Sequence, residues 1–542
     1  MRSSTLLTSV FASFLLGAGC GSDHGNDRGD PDARSSDKQD AADVNPPDAL
    51  STDKQDAAVD LPAAAADARQ DVAATGPQDA ADVPPLDVAA TDTQNAAETS
   101  PQDGAGVDTQ AETEAGTSEA GPGPGEMASS SLARATATLT DTEKSDLATS
   151  LSGFAFALWQ GLRNDPSTTD NFVFSPTSIS LALGMTYAGA QGNTASQMKS
   201  SMHVASTSDV YFRSLNWLDE QLESRADAAL KQAQTMYKSS GSPGAAPDSA
   251  NFRLHVVNAT WGDRTFTFEQ AYLDTLATDF GSGVHLADFR TQPDTERLAI
   301  NAWVSQETLN RINDLIPQGA IDTTTRTVLV NAIHLKLPWY DPFLETSTKS
   351  AAFTKTNGSS VSVPTMNKGG SWSYAEDDTT QAVAIPLSGN AVNFVVFLPK
   401  SASSLAQFED SLSQGHATTL VAGMASHQVT LALPKFTFTT ASVRLGSVLT
   451  ALGMTDAFTP SADFTGMSKE KPLFISDVVH KAMVGVDEHG VEAAAATAVM
   501  LAGSGLPTDV KQVNVNRPFF FGIYDQPTST WLFLGHVTDP SS

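Results

Sequence analysis

Cysteine is nearly missing: Cys20 is the only one in 542 residues, so no disulfide can form within the chain and no thiolate cluster can hold a metal. Basic residues are scarce as well, 32 Lys and Arg against 62 Asp and Glu, for a net charge of −30. None of them cluster densely enough to bind nucleic acid or another polyanion. The deficit is uneven. Residues 21–133 carry 24 acidic and 5 basic side chains and no Phe, Trp or Tyr, a composition that cannot build a core. Catalytic signatures are missing too: Ser504 lies between glycines, but the residue two before it is Ala502, so no G-x-S-x-G is present. There is no H-E-x-x-H and no glycine loop that cradles phosphate ahead of a helix. The expectation is therefore a protein that is not an enzyme and uses no cofactor and no metal.

What is present begins with MRSSTLLTSVFASFLLGAGC, a single Arg followed by an apolar run from Leu6 to Leu16 and small residues ahead of Cys20. This is the layout of an export signal over residues 1–19, too short to span a bilayer comfortably. The string Leu-Leu-Gly-Ala-Gly-Cys resembles a bacterial lipobox, which implies lipidation of Cys20 and a membrane anchor. Gly17 departs from that pattern, where a branched apolar residue is usual. Several acyl chains on one cysteine would hold the chain stably at a membrane. Residues 20–135 read as an acidic tether: the nine residues from Ser36 are nearly repeated from Thr52, and Pro-Gln-Asp recurs at Pro77 and Pro101. A flexible coil of that length spans about 60 Å. Gly21 lacks the aspartate linked to retention at an inner membrane, so the expected location is the outer membrane or cell surface, otherwise the periplasm or the medium.

From about Asp141 the composition becomes that of a folded domain, placed at residues 136–542. Leu147, Leu151, Phe154 and Leu158 recur at helical spacing. In NFVFSPTSISLALGMTY a short apolar strand meets a helix start with Pro176 in the first turn. Residues 327–339, 391–400 and 427–438 are strand-like runs separated by long helical tracts. The mixture is neither regular βα alternation nor all-β, and it predicts one α+β domain of roughly 400 residues. Residues 222–251, with SSGSPGAAPDSA, read as a surface insertion.

The stretch VDEHGVEAAAATAVMLAGSGLP, residues 486–507, combines an alanine run with glycines on both sides. Written as a strand, it puts Val491, Ala493, Ala495, Thr497, Val499 and Leu501 on one face and Glu492, Ala494, Ala496, Ala498, Met500 and Ala502 on the other. The first face is small or apolar throughout. Small side chains minimise the cost of entering a packed sheet, about 1 to 3 kcal/mol per overpacked site. Alanine is also the best helix former, and the residues alone leave helix and strand open. No Lys or Arg occurs from Val491 to Val510.

In order along residues 140–540, NFVFSPTSISLALGMTYAGAQGNTASQM, TVLVNAIHLKLPW, ADFTGMS, ISDVVHKAMVGVDEHGVEAAAATA and VNVNRPFFFGI resemble the serpin (serine protease inhibitor) family. The resemblance implies an α+β serpin fold of three β-sheets and eight or nine helices with an exposed reactive-centre loop. It implies a suicide inhibitor: a serine protease cleaves the loop to an acyl-enzyme, and the cut loop inserts into the main sheet and traps the protease. Carried over by motif, the hinge is Glu488, Gly490, Val491, Glu492, Ala493, Ala494, Ala495, Ala496 and Thr497. Counting fourteen residues from Gly490 puts the reactive bond at Ser504 and Gly505, with Met500 and Leu501 as alternatives. A polar cluster that closes the sheet, the shutter, maps to Ser175, Ser178, Asn331 and His480. The breach at the top of the sheet maps to Trp339 and Lys435, with a Glu488 to Lys435 ion pair.

His489 and Val491 depart from the family's usual residues, and His489 would bring a titratable group to the hinge. The missing Lys and Arg disfavour trypsin-like targets, whose pocket carries a carboxylate, and favour elastase-, subtilisin- or chymotrypsin-like proteases. Two other readings stand beside this one: a non-inhibitory serpin that binds a partner or is merely cut, and a cysteine-protease inhibitor using the same trap. The chain is expected to act as a monomer.

Overall fold

The computed structural model describes residues 125–165, 168, 170–240, 246–401, 404–470, 472–492 and 509–542. The expected export signal, Cys20 and the tether up to residue 124 lie outside them, as do residues 493–508.

In chain order the elements are β1 (Met127–Ala128), α1 (Asp141–Leu162), β2 (Phe172–Phe174), α2 (Pro176–Tyr187), α3 (Gly192–Ser201), α4 (Ser208–Ser240), β3 (Arg253–Asp263), α5 (Gln270–Phe280), β4 (Val284–Ala287), α6 (Pro293–Glu307) and β5 (Thr327–Pro338). The next are β6 (Lys349–Thr354), β7 (Ser360–Glu376), β8 (Thr380–Pro386), β9 (Val392–Pro399), α7 (Leu405–Ser411), α8 (His416–Ala422), β10 (Ala425–Pro434) and β11 (Phe436–Thr439). Last come β12 (Val443–Arg444), α9 (Gly446–Ala451), β13 (Ile475–His480), β14 (Met483–Val486), β15 (Gly490–Val491), β16 (Val510–Asn514), β17 (Phe519–Asp525) and β18 (Thr530–Val537). The described residues thus contain nine α-helices.

Local chemistry sets the helix starts. Thr140 caps α1: its hydroxyl accepts from Glu143 N while the Glu143 carboxylate accepts from Thr140 N, the reciprocal arrangement of a capping box. Leu147, Leu151, Phe154 and Leu158 then fall on the buried face. Ser175 caps α2, accepting from Ser178 N at 3.2 Å, with Pro176 in the first turn, where its missing N–H costs nothing.

Two sheets organise the fold. The first runs β1-β4-β3-β5-β15-β14-β11, with β13 and β12 attached beside β5. The second runs β16-β10-β7-β8-β9-β17-β18-β2, with β6 on β7. Strands that three separate sheets would hold trace two continuous layers, because the 17-residue β7 pairs with β10 and β6 along part of its length and with β8 at its end. The apolar run expected at 427–438 divides at Lys435: β10 belongs to the second layer and β11 to the first. Strand periodicity carries no mark of that crossing.

β5 is buried on both faces, which is why its sequence reads as a nearly unbroken apolar run. Leu329, Ile333, Leu335 and Leu337 point into the main core. Val328, Val330 and Ala332 point the other way, into a second core under α6, with Val304, Ile312, Leu315 and Ile316. The seam beside β5 is therefore covered from both sides.

Residues 125–135, counted with the tether from composition, are part of this fold. β1 pairs with β4, Leu286 N donates to Glu126 O, and Arg134 bonds Asn216 and Asp219. Part of the expected surface insertion is integral too. α4 continues through Ser240, with Leu222 and Ala229 buried and Arg225 gripping the fully buried Asp525 through two bonds of 2.7 and 3.2 Å. No helix among the described residues is long and apolar enough to cross a membrane.

Candidate functional site: a seam closed below and wedged above

β5 and β13 run parallel and in register from Thr327/Ile475 to Asn331/His480, with a bulge after Ile475. Above that point they part. The chain continues as β14, turns at Asp487, Glu488 and His489, and returns as the two-residue β15. β15 pairs antiparallel on both sides: Gly490 and Val491 with Pro338 and Leu337 of β5, and Val491 with Val486 of β14. The turn forms locally because the Asp487 carboxylate accepts from the amides of His489 (2.8 Å) and Gly490 (3.2 Å), as Asp does in such turns. Val491, 2% exposed, joins the main core.

Buried polar groups hold the lower end. Ser175 N donates to His480 Nε2 at 3.0 Å, so the ring proton sits on Nδ1, which donates to Asn331 Oδ1 at 2.5 Å. Asn331 Nδ2 in turn donates to Ser178 Oγ and to Asn258 Oδ1, both at 2.5 Å. Ser178 Oγ lies 3.1 Å from Asn258 Oδ1. The four residues expected as the shutter thus meet in one network, though 305 positions separate Ser175 from His480. Burial pushes the His480 imidazole down to about 3, against a smaller raising contribution from Asn331. It is neutral, as its acceptor role requires.

Asn258 is a member that sequence reasoning missed. It sits opposite Asn331 across the β3/β5 ladder. The available signal was a single amide inside the apolar run VVNATW, which reads equally as an interrupted strand.

At the upper end Trp339, 1% exposed, donates from Nε1 to Asp487 O at 2.7 Å and from its amide to His489 O at 2.9 Å. Phe343 and Phe394 pack edge-on against its ring. Glu488 Oε2 lies 2.6 Å from Lys435 Nζ, and Glu488 Oε1 accepts from the Thr348 hydroxyl at 2.6 Å. Burial raises the Glu488 carboxyl, but the Lys435 and Thr348 bonds outweigh it and leave the pKa below its ordinary value. His489 lies between two carboxylates, Glu345 at 3.4 Å and Asp487 at 3.7 Å. Asp487, Glu488 and His489 bring ligand atoms within 4.8 Å of one another, but Glu488 is already committed to Lys435 and Asp487 to the turn amides. Glu492 follows β15. The remaining expected hinge residues, Ala493, Ala494, Ala495, Ala496 and Thr497, lie outside the described residues, as do Met500, Leu501, Ser504 and Gly505.

One constellation elsewhere has the order of a hydrolase triad. Ser411 Oγ lies 2.6 Å from His416 Nδ1, and His416 Nε2 lies 2.6 Å from Asp377 Oδ2. Ser411 Oγ also donates to Phe408 O at 2.6 Å, one turn back in its own helix. That hydroxyl is engaged by backbone rather than aimed outward, and the chain of bonds ties α7 and α8 to the β7–β8 turn.

Comparison with known proteins agrees with this architecture. Residues 149–540 match the family model described as Serpin (serine protease inhibitor). An uncharacterised serpin-like protein of Thermococcus kodakarensis is 33% identical over 405 residues, covering 74% of this chain and 88% of its own. The leukocyte elastase inhibitor of Sus scrofa is 32% identical over 397 residues, covering 71% of this chain and 97% of its own. The crystal structure of a thermophilic serpin, tengpin, in its native state superposes with a TM-score of 0.63 at 25% identity, covering 75% of this chain and 97% of that one.

Proposed function

The chain belongs to the serpin family, and from that premise we propose that it is a single-use inhibitor of serine proteases whose segment after Gly490 is cut, held as an acyl-enzyme and drawn into the seam between β5 and β14. The observation that carries this reading is β15. Two residues at the start of the segment are already hydrogen-bonded on both sides as a strand, while the seam below them is closed by an uncharged network that can open without separating ions.

Extending the β15 register makes the composition of the segment intelligible. Positions 493, 495 and 497 would follow Val491 into the main core, where Ala, Ala and Thr displace little. Positions 494, 496 and 498 would pass beneath α6 and the segment after it, where Ile312, Leu315 and Ile316 pack, and all three are alanine. A strand of about 14 residues spans roughly 46 Å. With one or two bonds per residue, each contributing about 0.5 to 1.5 kcal/mol, insertion would release on the order of 10 kcal/mol. Removing a single oxyanion donor slows turnover by about 10² to 10³, so distorting the protease is enough to strand the acyl-enzyme.

Ser504–Gly505 is the preferred bond, with cleavage after Met500 or Leu501 as alternatives, and the targets are elastase-, subtilisin- or chymotrypsin-like. The name of the porcine relative, an elastase inhibitor, agrees with that preference. Lipidated Cys20 and the acidic segment behind it would hold the inhibitor at the outer membrane or cell surface, on a tether that lets it meet proteases arriving from outside.

The test mixes the protein with elastase, subtilisin, chymotrypsin, trypsin and papain and examines each mixture on a denaturing gel. A covalent complex with one of the first three is expected, with the mass of the released C-terminal fragment locating the bond. Cleavage without complex and without a rise in unfolding temperature would rule out inhibition and leave a non-inhibitory serpin. A complex with papain alone would move the target to cysteine proteases.

A further inference from the structure

Glu492 stands where β15 ends and the chain leaves the sheet. Its φ is +50°, a left-handed conformation that a residue with a long side chain seldom adopts. The position is nonetheless held: Glu492 N donates to Gly485 O of β14 at 2.7 Å.

The carboxylate reaches along the outer face of the sheet. Oε1 lies 2.5 Å from Nε of Arg311, in the segment that follows α6, and Oε2 lies 3.2 Å from Nε2 of His334 in β5. Close as these contacts are, they are poorly aligned. Glu492 Oε1 and both ring nitrogens of His334, all buried, have no hydrogen-bond partner. The other charged and titratable groups around His334 are engaged elsewhere. His255, its partner across the β3/β5 ladder, faces Glu307 of α6 at 3.2 Å, Arg253 donates to Glu307 O, and Lys336 donates to Ala250 O.

Register shows what the carboxylate obstructs. Gly490 is opposite Pro338 and Val491 opposite Leu337. Continuing that antiparallel ladder one residue at a time puts position 492 opposite Lys336 and position 494 opposite His334. The Glu492 carboxylate already sits at the level of His334, two positions below its own place in the strand. It therefore occupies the gap that residue 494 must enter.

We propose that Glu492 is a plug with two positions. In the uncut protein its carboxylate, held between Arg311 and His334, stops β15 from growing past Val491. When the strand extends, residue 492 leaves its left-handed conformation and its carboxylate meets Lys336, directly opposite and of opposite charge. The inserted position replaces Arg311 with another cation, Lys336, so the plug delays insertion without leaving the carboxylate unpaired at its completion. This rests on the reading that the segment after Gly490 inserts.

Two measurements on the full chain separate the proposal from that reading. The first is the unfolding temperature of the wild-type protein before and after limited cleavage in 493–508, which must rise if insertion occurs at all. No rise would overturn the insertion reading and the plug with it. The second is the rate at which warmed, uncut protein converts to a form whose loop can no longer be cleaved. Glu492→Ala and Arg311→Gln should each speed this conversion about tenfold, the factor that goes with losing one partly buried ion pair. Glu492→Gln, which keeps the volume, should speed it less, and the exchanged pair Glu492→Arg with Arg311→Glu should return it toward the wild-type rate. Lys336→Gln should leave that rate unchanged and reduce the temperature gain after cleavage. If the wild type gains stability on cleavage while Glu492→Ala and Glu492→Gln both convert at the wild-type rate or more slowly, the plug is wrong.

Discussion

The two ends of the seam beside β5 use the same strands and opposite chemistry. At the lower end Ser175, Ser178, Asn258, Asn331 and His480 are joined in a buried network without charge. At the upper end the strands are held apart by Gly490 and Val491, and the groups around the wedge are ionic or unsatisfied: Glu488 with Lys435, Glu492 with Arg311, and a buried His334 with no hydrogen-bond partner. A complete neutral network is cooperative and costly to break at one member. Each ion pair at the upper end has a cation that is a third to a half exposed, Lys435 or Arg311, so it is held less firmly and is screened by salt. The contrast teaches that one seam can be held firmly at one end by a buried neutral network and less firmly at the other by partly exposed ion pairs.

The largest effect should come from erasing that contrast from below. Asn331→Ala removes partners from His480, Ser178 and Asn258 together and should lower stability by about 3 kcal/mol, seen as a reduced midpoint in urea at unchanged slope.

Acid should act on the same end. His480 is held near 3, below its value in the unfolded chain, so its contribution is fully present above about pH 6.5. Below that pH the unfolded state binds a proton that the folded state excludes, and stability falls by about 1.4 kcal/mol per pH unit on the way down toward pH 3. Comparing urea midpoints at pH 7 and pH 5 for the wild type and His480→Gln isolates this slope, which the variant should lack.

Changes at the upper end should be smaller. Trp339→Phe leaves the Asp487 carbonyl without its donor while keeping most of the packing, for a loss of about 1 kcal/mol by thermal unfolding.

Lys435→Met should cost least, because Lys435 is 36% exposed and Glu488 keeps the Thr348 bond. A loss below about 1 kcal/mol, shrinking further in molar salt, is expected. A loss from Lys435→Met as large as that from Asn331→Ala would overturn the assignment of a strong and a weak end.

Much of this was legible along the chain. The cap at Ser175, the apolar run of β5 and four of the five residues of the lower network, Ser175, Ser178, Asn331 and His480, carry local or motif signals. Other parts were not. Asn258 becomes recognisable only when β3 is set beside β5, which pairs Asn258 with Asn331. Residues 125–135 share the tether's composition, yet β1 is accepted by the edge of β4. Likewise the middle of α4 is anchored where Arg225 finds Asp525 three hundred positions away.

By itself, the sequence determined where the main body of the core begins and that the stretch after Gly490, written as a strand, has one face from Val491 to Leu501 that is small or apolar throughout. Those properties follow from composition and from periods of 2 and 3.6, which are local. Only the tertiary structure decided that Gly490 and Val491 pair between β5 and β14, which end of the seam is closed, and that the Glu492 carboxylate reaches His334. Those are questions of register between strands distant in the chain. Register is set by what faces each residue across the ladder, and no residue carries that information alone.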